Sequence, residues 1–145
     1  MRTALRLAFA AVLCASLAPL VSSKESPTGT WSHGDVEKGG GRLLIRQVAE
    51  DVRFQLEVWR GAPSYNSGFL EGQLMMVGAK GTFRSSQPAG VCEIEFVFSA
   101  SSALVKHTND PRNCGLGHGV YANGTYRRKS RKEPAFSVGD SRQGK

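Results

Sequence analysis

Cysteine is scarce in this chain of 145 residues, with only Cys14, Cys92 and Cys114. None belongs to a Cys-x-x-Cys pair, which excludes the common redox and zinc-ribbon spacings. Histidine is as sparse: His33, His107 and His118 lie far apart, with no pair at the helix or finger spacing of metal ligands. No metal and no cofactor is therefore expected. A Gly-x-Ser-x-Gly elbow is missing, and no nucleophile stands beside a base, so no catalytic residue is assigned and the chain reads as a non-enzyme. Gly39-Gly40-Gly41 lacks the lysine and hydroxyl residue of a phosphate loop. Beyond the N-terminus there is also no helical period.

What the N-terminus does have is a secretory signal in three parts. Arg2 and Arg6 supply the positive start, Leu7 to Leu20 is mostly apolar, and Val21-Ser22-Ser23 offers small residues for cleavage. Residues 1–23 are expected to be a signal peptide cut after Ser23. As a span the segment is short of the roughly 20 apolar residues a membrane helix needs, and Pro19 interrupts it, so no stable membrane insertion is expected. Cys14 follows Leu13, where a lipidation site would carry a small residue. The expected location is periplasmic or secreted. The remainder has the length of one domain, able to bury roughly two thirds of its unfolded surface without metal help.

The net charge of +7 is unevenly spread. Residues 24 to 126 carry ten basic and ten acidic side chains, whereas Arg127 to Lys145 carry seven basic and two acidic. Nucleic-acid binding needs a basic patch on the folded surface, and here the excess is terminal, so no nucleic-acid partner is expected. The division is a β-barrel domain over 24–128 and a basic flexible tail over 129–145.

The dominant pattern is period-two alternation cut by Gly, Pro, Asn and Asp. Gly29-Thr30-Trp31-Ser32 opens the series, and a loose turn over Gly34 to Gly41 leads to a strand from Leu43 to Val48. Val52, Phe54, Leu56 and Val58 then alternate with Arg53, Gln55 and Glu57. Phe69 to Val77 places Leu70, Leu74 and Met76 on one face. After Thr82 to Ser85, the series Cys92, Ile94, Phe96 and Phe98 opposes Glu93 and Glu95, which read as solvent-facing charges. Ala103 to His107 and Val120 to Arg128 complete the set, with Asn123-Gly124 as a tight hairpin turn or bulge signal. About eight short strands without a crossover helix predict an all-β fold, a single antiparallel up-and-down barrel, because closure removes sheet edges. Cys92 and Cys114 are the only cysteines left after the leader and are expected to form one disulfide, contributing about 3 kcal/mol by loop-closure entropy.

Gly29-Thr30-Trp31 on the first strand, with Arg127 or Arg128 after the last, resembles the lipocalin and calycin pattern. The resemblance implies that Trp31 closes the barrel floor and that the late arginine packs across it. Asn66 to Gly72, Cys92 to Phe98 and Cys114 to Tyr126 resemble a small exported bacterial calycin-like β-barrel domain, as found in lysozyme-inhibitor-like envelope proteins. About half of the exported chain is covered. Some such inhibitors insert a loop with Ser-Gly and a nearby Tyr into the enzyme cleft. Here Ser67-Gly68 is followed by Phe69, and Tyr65 precedes it.

The expected function is a non-enzymatic binding module of the bacterial envelope that inhibits a lysozyme-like or other envelope hydrolase. Partner-binding loops are assigned to Ser64, Tyr65, Asn66, Ser67, His118 and Tyr121, where an aromatic stands among adaptable polar groups. The alternative is a calycin-type carrier of a small apolar ligand, with Phe54, Leu56, Phe96 and Phe98 lining a pocket, since eight strands are near the size that admits one ligand.

Overall fold

A computed structural model describes residues 25–137. The expected leader, with Cys14, and residues 138–145 lie outside the described residues. Eight strands follow in order: β1 (Gly29–Asp35), β2 (Gly39–Val48), β3 (Asp51–Trp59), β4 (Ser67–Val77), β5 (Lys80–Gln87), β6 (Gly90–Phe98), β7 (Ser102–His107) and β8 (Gly124–Ser130). Each pairs antiparallel with the next, and β8 returns to β1, so the sheet closes into an up-and-down barrel. One turn of 3-10 helix, Pro111–Cys114, lies between β7 and β8. No helix among the described residues is long and apolar enough to cross a membrane.

The alternation drives this closure. Val52, Phe54, Leu56 and Val58 on β3 and Cys92, Ile94, Phe96 and Phe98 on β6 all turn inward and are buried. Their neighbours on the outer face pair as ions, Arg84 with Glu93 at 2.9 Å and Lys80 with Glu95. Inside, Phe54 contacts Phe83 edge-on and Phe96 at a tilt, both with centroids 5.1 Å apart. Such pairs contribute about 0.5–1.5 kcal/mol each beyond their buried area. Register explains the fit: Gly72 lies opposite Phe54, and a Cβ on Gly72 would come within 2.5 Å of the Phe83 ring. Gly41 likewise yields its side-chain space to Tyr126, whose hydroxyl would stand 2.5 Å from a Cβ there. Aromatic rings thus occupy interior space that glycines leave open.

Several boundaries differ from the sequence expectation. The turn expected over Gly34 to Gly41 shrinks to residues 36–38, because Gly40 and Gly41 pair in the ladder with Gly34 and His33. The last strand begins at Gly124, not Val120. Val120 and Ala122 are buried but off the ladder, the Val120 N–H donating to the Gly117 carbonyl at 3.3 Å. The Ala122 N–H donates to His107 Nε2 at 3.1 Å, and Asn123 Oδ1 accepts the His107 N–H at 2.7 Å. Asn123-Gly124 is therefore the entry to β8 and not a hairpin turn. At its other end β8 reaches Ser130, so residues 129 and 130 belong to the barrel and not to the tail. Residues 131–137 also stay against it. The Ser137 backbone bonds both ends of the Gln55 amide at 2.9 Å, Glu133 pairs with Arg46, and the Arg46 guanidinium covers the Phe136 ring. Gln55, expected at the solvent face, is only 2% exposed for this reason.

Candidate functional site

Topology separates the connections into two ends. The turns after β2, β4 and β6 lie with the start of β1 and the end of β8 at a floor; those after β1, β3, β5 and β7 form a rim. At the floor, the Trp31 indole is fully buried, its N–H donating to the Pro27 carbonyl at 3.2 Å. The Arg128 guanidinium lies over its ring, 4.2 Å from the centroid. Arg128 also donates to Ser26 O at 2.7 Å, Ala100 O at 3.2 Å and Glu25 Oε1 at 2.8 Å, with its side chain 6% exposed. Burial lowers its pKa from the usual arginine value. Of the two candidate arginines, Arg128 closes the floor, and Arg127 is exposed.

The rim is built differently. The Tyr65 backbone has φ of +48°, unusual for a residue with a Cβ. Its N–H donates to Gly61 O at 2.8 Å, and its hydroxyl donates to Glu37 Oε2 at 2.7 Å, which raises the phenol's pKa. The Asn66 amide donates to the His118 carbonyl at 3.0 Å and so ties the β3–β4 loop to the β7–β8 loop. Trp59 Nε1 donates to Asp35 O at 2.7 Å, adding the β1–β2 turn. Three loops therefore form one linked surface.

Beneath them lies the disulfide of Cys92 and Cys114, with Cα atoms 4.6 Å apart. It anchors the long β7–β8 loop to β6. His107 is its neighbour: Nδ1 lies 3.5 Å from Cys114 Sγ, while Nε2 accepts from Ala122. That acceptor role requires a neutral ring, and burial lowers the His107 pKa accordingly. Spacing alone does not reveal this imidazole as the prop of the rim loop. The cue was its place at the end of a strand, one of whose faces is apolar.

Tyr65, Asn66, His118 and Tyr121 come together at this end, with Tyr65 49% and Tyr121 54% exposed. Ser64 is exposed on the same loop. Ser67 is a correction: it opens β4, paired with Trp59, because the ladder begins there. Gly68 is covered by the β7–β8 loop, where a Cβ would meet Leu116 O at 2.1 Å. Ser67-Gly68 is thus part of the wall and not a projecting loop. Sequence reasoning also missed Arg60 and Arg112. Together with His118 and Tyr121 they border a groove of about 630 Å³. Asp110 grips Arg112 with both oxygens, at 2.6 Å for the shortest bond, and its own pKa is held down to about 2 by that guanidinium.

A small closed eight-stranded antiparallel barrel with this tryptophan–arginine floor is consistent with a calycin-like fold. Compared with known protein families, curated proteins and solved structures, the chain matches none.

Proposed function

We propose that this chain is an exported, non-enzymatic binding module of the bacterial envelope, acting through its rim as an inhibitor of a lysozyme-like or other envelope hydrolase. The carrying observation is the linked surface of Tyr65, Asn66, His118 and Tyr121, brought to one barrel end from two loops. A rigid, half-exposed tyrosine supplies contact area at low entropic cost. The positive φ of Tyr65 fits this reading, since strained backbone is retained where the surroundings over-determine it. The disulfide accords with a periplasmic or secreted location, where such bonds persist. The apolar-carrier alternative has less support, since aromatic rings fill the interior around Gly72 and Gly41.

The exported chain mixed in equimolar amount with lysozymes of several structural types should lower muramidase activity against at least one. Tyr65→Ala should weaken that inhibition with little change in melting temperature. Unchanged activity across all types would overturn the hydrolase assignment.

A further inference from the structure

At the rim, the acidic groups are engaged among the described residues, and the Arg60 guanidinium has none of them. Asp35 accepts the Lys38 N–H at 2.7 Å, Glu37 accepts the Tyr65 hydroxyl, and Asp110 is held bidentately by Arg112. Arg60 is exposed and has no acceptor for its guanidinium among the described residues. It is nevertheless placed. Its head lies along Gly119, where a Cβ would come within 3.0 Å of Nη1, and Gly119 has φ of +68°, so the missing side chain makes room for the arginine. The Arg60 N–H also donates to Asn66 O at 2.9 Å, fixing the root of the side chain.

The same groove holds His118, the Asp110-oriented Arg112 and the exposed ring of Tyr121. Its volume of about 630 Å³ falls within the range of small-molecule sites, about 300–1,000 Å³. A guanidinium fork matches the paired oxygens of a carboxylate or phosphate. A bare inorganic anion would occupy only a fraction of the space, leaving the Tyr121 face open for a ring.

We infer that this groove binds a small sugar acid, a carboxylate or phosphate carried on a saccharide ring, with Arg60 on the anion and Tyr121 against the ring. The assignment is independent of the hydrolase partner, because inhibition of lysozyme can fail while this binding persists.

The test is calorimetric titration of the exported chain with glucuronate and glucose 6-phosphate, with glucose and inorganic phosphate as controls. At least one sugar acid should bind with a Kd of about a millimolar or tighter, and weaken in about 0.5 M salt as screening sets in. Arg60→Gln, which keeps most of the stem over Gly119, should raise that Kd about tenfold or more with melting temperature unchanged. Tyr121→Ser should weaken the sugar acids and leave any phosphate binding unchanged. Glucose binding as tightly as its acids would overturn the anion role. Phosphate binding as tightly as the sugar acids would overturn the ring, and an unaltered Kd in Arg60→Gln would overturn the site.

Discussion

The floor and the rim close the same sheet in opposite ways. At the floor, Pro27 and Arg128 hold Trp31, and the Arg128 terminal nitrogens donate to Glu25, Ser26 and Ala100. Arg128 Nε is the one nitrogen of that guanidinium left buried without a partner among the described residues. At the rim, the β7–β8 loop over residues 108–123 is long, hangs from one disulfide and one imidazole, and leaves Arg60, His118 and Tyr121 facing outward. The buried tryptophan–arginine stack is thus a floor feature, whereas the exposed tyrosines and the Arg60 guanidinium stand at the rim.

Trp31→Ala should break the comparison most severely. Emptying a fully buried indole costs about 3–5 kcal/mol, a large share of a typical domain's stability. Urea denaturation should show a midpoint shift to match, or no folded baseline at all. Next in size is the Cys92→Ala/Cys114→Ala double variant. It should lose about 3 kcal/mol in the same assay, with the rim loop, and not the floor, showing the larger rise in amide exchange.

Adjacent arginines sharpen the contrast further. Arg128→Met should cost about 2 kcal/mol, because it removes the cation over Trp31 and leaves floor carbonyls without their donor. Arg127→Met, at an exposed position, should stay within about 0.5 kcal/mol of the parent by thermal melting. Equal losses at the two positions would contradict the geometry of the floor.

The smallest effect concerns pH. Burial holds His107 below its ordinary pKa of 6.5, so the unfolded chain takes a proton that the folded chain refuses. Its contribution is complete above 6.5 and is lost as pH falls below that value, until the lower folded pKa is reached. Urea midpoints measured on the acid side should fall more steeply for the parent than for His107→Gln. Parallel profiles would show that His107 is not the group responsible.

Much of the barrel was legible because strands with one buried face advertise it. Val52 to Val58 and Cys92 to Phe98 alternate so regularly that inward and outward residues follow from position alone. The Gly-x-Trp triplet and the late arginine pair were legible too, although choosing Arg128 over Arg127 required the register of β8 against β1. What was hidden depends on partners distant in sequence. Gln55 is buried by Ser137, 82 residues away, and nothing in β3 itself distinguishes it from Arg53 or Glu57. Val120 and Ala122 look like strand residues, yet the Ala122 N–H goes to the His107 imidazole and the Val120 N–H to the Gly117 carbonyl within its own loop. Arg60 escaped notice because its position depends on Gly119, a contact between two loops.

The division between floor and rim is tested most directly by residue-resolved native-state amide hydrogen exchange on residues 24–145. Amides around Trp31, Ala103 and Tyr126 should exchange only through global unfolding, and those of residues 115–121 through local openings of distinctly lower free energy. Matching protection at both ends, or a floor that opens before the rim, would contradict the account.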